Sequence, residues 1–171
     1  GTSVSRTKLH MILQKKIDAN VQLNADGSAA SDVRYTLTNP FNEWKKGRDP
    51  ELVKALMYDG VYGSYLRVYA PLQSELRGIT VNDKPAGAEQ ANLEVGKKAF
   101  GHYFNVLPGA TSSMAVSYTT PKVIESDGSS RTYSLYTPKE AGTNEIHRPP
   151  HLKLPGGATL NDVSPQREPY T

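Results

Sequence analysis

No cysteine occurs anywhere in the chain, which excludes disulfides, thiolate metal sites and cysteine nucleophiles together. Charge of one sign is also missing: 20 Lys and Arg stand against 17 Asp and Glu, for a formal charge of +3. The basic residues fall in scattered pairs, Lys15-Lys16, Lys45-Lys46 and Lys97-Lys98. Such scatter reads as a solvated surface and argues against a nucleic-acid partner. No apolar run approaches the roughly 20 residues of a membrane helix, and no basic-then-apolar leader opens the chain. Direct membrane insertion by this chain is therefore not expected. Tryptophan occurs once and phenylalanine three times, so the ten tyrosines are the main aromatic resource of a 171-residue chain, long enough for one domain with a real core.

Catalytic and metal-binding patterns are scarce as well. His147 and His151 have the four-residue spacing that places two ligands on one helical face, but the intervening Arg148-Pro149-Pro150 forbids that helix. His10 and His102 are isolated. No G-x-S-x-G elbow surrounds a serine, and Gly60 and Gly63 lack the context of a phosphate-cradling loop. Glu43, Asp49 and Glu51 lie close together in sequence, yet glycosidic acid-base chemistry needs carboxylates facing each other across a cleft. No catalytic residue, metal or cofactor is assigned, and the chain is expected not to be an enzyme.

What the sequence does hold is strand-and-turn grammar. Phe100, Tyr103, Phe104 and Val106 form an aromatic and β-branched run that Pro108-Gly109 breaks, and Met114, Val116 and Tyr118 then alternate with small polar residues. This predicts two strands joined as a central hairpin. Leu9, Met11 and Leu13 alternate as a strand while Leu9, Ile12, Leu13 and Ile17 fit one helical face, but Ile17, Ala19, Val21 and Leu23 settle for β. Asn24-Ala25-Asp26-Gly27 supplies the turn into a return strand through Val33, Tyr35 and Leu37. Asp49-Pro50-Glu51 opens one short helix, with Leu52, Val53, Leu56 and Met57 as its apolar face and Gly60 as its stop. Further strands are predicted over 62–71, 76–81, 131–136, 151–154 and 158–163, with a turn at 82–87 and a polar hairpin tip at 125–130.

Short strands at about ten-residue spacing predict an all-β antiparallel sandwich, immunoglobulin-like or similar, with one short inserted helix. Residues 1–125 are expected to form the sandwich core. Residues 126–171, rich in Pro and Gly, would add C-terminal strands and a tail packed on the same domain.

One surface feature invites a binding role. Tyr58, Tyr62, Tyr65 and Tyr69, with Arg67 between the last two and Trp44 in the preceding loop, offer flat faces on which sugar rings stack. The alternative is cross-strand packing of tyrosines with their hydroxyls in water. Lys8, Lys15, Asn39 and Asn105 lie on or beside predicted strands and are the residue types of an intramolecular isopeptide bond, but that link needs a buried carboxylic acid beside the pair, and spacing marks no such triad.

In order along the chain, TKLHMILQKKIDANVQLNADGSA, TLTNP, YGSYLRVYAP, LEVGKKAFGHYFNVLPG, SYTTP and the late YSLYTPKEAG…LKLPGGA segment resemble the C-terminal region of a family of bacterial membrane-anchored surface proteins of unknown function. Its members are often encoded among exopolysaccharide genes. The resemblance implies an extracytoplasmic, cell-surface β-rich domain whose parent carries its anchor N-terminally, and it transfers no active site. Gly1-Thr2-Ser3 reads as a cloning remnant, in keeping with a longer parent. The expected role is a structural or interaction module of the cell envelope; a carbohydrate-binding module and a glycan-processing enzyme are the alternatives. Expected partners are polysaccharide, another envelope protein or, through an exposed sheet edge, a second copy.

Overall fold

A computed structural model describes residues 2–3, 8–88, 90–94, 96–127, 130–134, 145–147 and 150–162. In chain order its elements are β1 (Thr2–Ser3), a 3-10 turn (Leu9–Met11), β2 (Gln14–Leu23), β3 (Ala29–Thr38), α1 (Phe41–Trp44), α2 (Pro50–Met57), β4 (Tyr62–Ala70), β5 (Glu75–Val81), β6 (Lys84–Ala86), β7 (Gln90–Glu94), β8 (Lys97–Val106), β9 (Thr111–Thr120), β10 (Ile124–Asp127), β11 (Ser130–Tyr133), β12 (Glu145–His147) and β13 (His151–Lys153). The smaller sheet has the order β1-β4-β8-β7, and the larger runs β2-β3-β9-β5-β6 with β12 and β13 both added outside β2. Leu37, Ile79, Met114 and Val116 of the larger sheet meet Leu66, Phe100, Phe104 and Val106 of the smaller in one core. The chain is thus an all-β sandwich, as its alternating pattern predicts, with two short helices where the sequence suggested one.

The β2–β3 hairpin forms as expected. Its ten-residue register runs from Gln14 opposite Thr38 to Leu23 opposite Ala29. Gly27 takes φ +84° in the turn, and the Asp26 carboxylate accepts the Ser28 hydroxyl and N–H at 2.7 and 2.9 Å. The hydroxyl bond first, then the backbone bond, holds the Asp26 carboxyl below its usual range. Upstream, the strand reading fails: Leu9–Met11 is a 3-10 turn and β2 begins only at Gln14. Leu9 and Leu13 are both buried, so the four-residue spacing served a turn.

The central hairpin is corrected. β8 pairs with β4 and β7, whereas β9 pairs with β3 and β5, so Pro108-Gly109 is the corner where the chain crosses from one sheet to the other. Local pattern marks a strand, a break and a strand; which strand each one pairs with depends on partners distant in sequence. Asn39 fastens this corner. Fully buried, it donates through Nδ2 to the carbonyls of Gly60 (2.8 Å) and Val106 (3.1 Å), and its Oδ1 accepts the Phe41 N–H (3.1 Å). Its backbone bonds Ala110 and Gly109 as well, each at 2.9 Å.

At the C-terminal side, β10 pairs with β11, Asp127 opposite Ser130, so the polar stretch does lie on a hairpin, and the division at residue 125 falls inside β10. Val123, Ile124, Tyr133 and Leu154 pack on Val21, Leu23 and Ala29 as a second apolar cluster. β12 and β13 join β2 in parallel, with Glu145 opposite Lys15 and His151 opposite Asn20, an exception to the all-antiparallel expectation. Residues 158–162 form no strand; 135–136 and 163 lie outside the described residues.

Burial raises the Tyr118 hydroxyl pKa, a hydrogen bond with Ser31 opposing; burial and then the neighbouring Tyr118 raise that of Tyr133. For an acid raised in the folded state, stability is intact below the unfolded value and is lost as pH rises above it. We expect unfolding to become easier above about pH 10, and Tyr133→Phe to flatten that alkaline decline in denaturant titrations. An unchanged slope would show that Tyr133 has no part in it.

The helix α2 begins as the sequence says: the Asp49 carboxylate accepts the Glu51 N–H at 2.8 Å and Pro50 occupies the first turn. Its burial is narrower than predicted. Met57 is buried and Val53 half-buried, while Leu52 and Leu56 remain exposed. After it, Tyr58 adopts φ 53° and ψ −120° while Gly60 N–H donates to Met57 O at 3.0 Å, the turn position glycine normally fills. Tyr58→Gly is expected to raise the unfolding free energy by about 1 kcal/mol, read from the urea midpoint; a lower midpoint would mean that the tyrosine ring itself stabilises the turn.

Candidate functional site

β4 sorts the tyrosines by parity. Tyr62, Leu66 and Ala70 are buried in the core direction, whereas Tyr65, Arg67 and Tyr69 lie on the outer face of the smaller sheet. Tyr62, grouped with the aromatic surface in sequence, is only 4% exposed and belongs to the core. Trp44 is also elsewhere. It is half-buried against the core at the end of α1, stacked on Phe41 with centroids 6.4 Å apart, and the Arg48 guanidinium lies 4.5 Å from its ring. Tyr58 lies in the turn at the end of α2, so of the six candidates the structure brings together Tyr65, Arg67 and Tyr69.

Register adds two residues that sequence reasoning missed. Tyr65 stands opposite Tyr103, Gly63 opposite Asn105, and Arg67 opposite Gly101. Each tyrosine leans diagonally onto the other strand's glycine. A Cβ on Gly63 would lie 2.5 Å from the Tyr103 Oη, and one on Gly101 would lie 2.9 Å from the Tyr65 Oη and 3.0 Å from the Arg67 Cγ. Only glycine admits so close an approach. The Tyr103 Oη donates to Asn105 Oδ1 at 2.7 Å, and the Arg67 guanidinium sits 5.4 Å from the Tyr65 ring centroid. Tyr69 and Tyr103 are 46% and 39% exposed, so the face is aromatic and open to solvent.

The outer face of the larger sheet is built differently. Arg34 binds Asp83 at 2.7 Å and Ser113 at 3.1 Å, Lys16 binds Asp18 at 2.6 Å, Thr38 pairs with Thr111, and Ser117 donates to Asp32. Each of these charged side chains is met by an opposite charge or a hydroxyl within the protein. An open depression of about 360 Å³ lies over Asn20, Gln22, Asp32, His151 and Lys153.

The carboxylates singled out in sequence hold local structure: Glu43 binds Lys46 Nζ at 2.6 and 2.8 Å, and Asp49 caps α2. The Asn39 amide is fully engaged by backbone, and Asn105 belongs to the tyrosine face. Among the described residues, no group of three His, Asp or Glu side chains is placed to hold a metal ion.

No family model and no curated protein matches the chain. Among solved structures, it is similar to an M1 zinc metallopeptidase mutant of Deinococcus radiodurans bound to a Tyr-Ser-Ala substrate, at 14% identity and TM-score 0.37 over 66% of this chain and 21% of that one. It is also similar to yeast LTA4 hydrolase in complex with bestatin, at 11% identity and TM-score 0.36 over 69% of this chain and 16% of that one. The chain thus spans about a fifth of the length of these proteins. Likeness at this level carries no argument about its activity.

Proposed function

We propose that this chain is a non-enzymatic, extracytoplasmic interaction module of a bacterial cell-envelope protein, and that its working surface is the tyrosine face of the smaller sheet. The family resemblance supports a cell-surface setting in a longer, membrane-anchored parent. The observation that carries the surface assignment is the reciprocal seating of Tyr65 on Gly101 and Tyr103 on Gly63. It spreads large aromatic area across the sheet in a fixed pose, at little conformational cost on binding.

Polysaccharide is the partner this pose favours over another protein. A ring laid along the sheet shows one broad apolar face to solvent, and a pyranose ring offers a matching apolar face of axial C–H groups. A glycan array should therefore show binding that Tyr103→Ala weakens by about tenfold or more, the loss of one stacking contact. Trp44→Phe should leave it unchanged. Full binding by Tyr103→Ala would place the site elsewhere, and binding to no glycan would leave a protein partner as the reading of this face.

A further inference from the structure

Resting on that glycan reading, we infer that the tyrosine face takes an internal stretch of a linear polysaccharide laid lengthwise along β4 and β8, and favours flat, equatorially linked ribbons over helical chains. The outward positions of the strand pair run from the Gly63–Asn105 rung through Tyr65–Tyr103 and Arg67–Gly101 to Tyr69–Ala99. From Gly63 to Tyr69 the strand rises by about 20 Å, while the two strand axes lie only about 5 Å apart. The aromatic area is therefore a long, narrow track, and its shape is what selects the ligand.

The two most exposed rings of this face stand toward opposite ends of the track. Tyr103 leans from its own rung toward Gly63 and is anchored there by its bond to Asn105. Tyr69 lies on β4 beyond Tyr65, the residue opposite Tyr103. Between them Tyr65, against Gly101, and Arg67, beside the Tyr65 ring, are half-buried and form a floor. The backbone interval from Tyr65 to Tyr69 is about 13 Å at the usual strand rise, longer than one pyranose ring. A single sugar thus stacks on one tyrosine at a time, and a chain that reaches both has to lie extended along the strands. Equatorial linkages keep successive ring faces in one straight ribbon; axial linkages curl the chain off the track after one contact. Asn105 at one end and Tyr69 at the other are exposed, so a polymer can run on past either.

The test titrates the intact protein calorimetrically with cellobiose and cellohexaose, chitobiose and chitohexaose, and maltose and maltohexaose. Cellohexaose or chitohexaose is expected to bind about tenfold or more tightly than its own dimer, the gain of a second stacking contact, and more tightly than the curled maltohexaose. Reducing that hexamer's terminal sugar to the alditol should leave its affinity unchanged, because internal rings make the contacts. Tyr69→Ala should bring the hexamer down to the affinity of the dimer while the dimer, stacked on Tyr103, stays bound. Tyr69→Phe keeps the ring and should keep the dependence on length. A dimer as tight as its hexamer, a preference for maltohexaose, or binding lost on reducing the chain end would overturn the lengthwise track but not glycan binding. Binding to none of the six would remove both.

Discussion

Replacing Asn39 by alanine is expected to cost about 4 kcal/mol of stability, because it orphans three buried backbone groups at once, each worth about 1–3 kcal/mol when left unpaired. Those groups are the Gly60 and Val106 carbonyls and the Phe41 N–H. They belong to the helix entry, the start of β4 and the sheet-crossing corner, so one side chain ties three segments that the chain visits at different times. A melting temperature lower by about 10 °C is the expected readout for a domain of this size. Asn39→Asp keeps the acceptor but loses both donors and adds a buried charge, so it should be at least as damaging. A loss below about 1 kcal/mol for Asn39→Ala would mean that water or a shifted backbone satisfies those groups.

Gly60→Ala should be nearly as severe for a different reason. Gly60 has φ +78°, where a side chain is strained, and a Cβ at this position would overlap the Cδ1 and Cε1 atoms of the Phe41 ring. Phe41 is buried, and Trp44 stacks on it, so neither ring can retreat freely. Conformational strain and overpacking together are expected to cost about 3 kcal/mol or more. The mechanism makes a sharper demand than the magnitude. Shrinking Phe41 in the Gly60→Ala background should cost far less than shrinking it alone, a coupling read from a double-mutant cycle of denaturant midpoints. Additive losses would show that backbone strain alone is responsible.

The elements that could be read from sequence are those whose causes are local. The β2–β3 hairpin announces itself through Asn24 to Gly27, and α2 through Asp49-Pro50. The inner and outer faces of β4 follow from period-two alternation, and the same alternation would have placed Tyr62 inside with Leu66. The Pro108-Gly109 corner misled because the same letters serve a hairpin or a crossing, and only the distant partners β3, β4 and β5 decide between them. The tyrosine face was half legible for the same reason. Tyr65, Arg67 and Tyr69 share a strand, but Tyr103 and Asn105 join them only through a register that the linear order does not encode. The signal was present in part: Gly63 and Gly101, two glycines inside strand-like runs, mark places where something must approach the backbone closely.

The parallel seating of β12 and β13 on β2 has a mechanical side. β2 lies near the start of the chain and β13 near its end, and the two strands point the same way. Tension drawn between the two ends would pull these strands along their length in opposite directions, so the hydrogen bonds joining Lys15–Ile17 to Glu145–His147 and Asn20–Gln22 to His151–Lys153 share the load and must fail together. An antiparallel hairpin pulled at its open end gives way one bond at a time. A chain stretched between its two ends would thus meet shear resistance in the edge of the larger sheet before its core felt the strain.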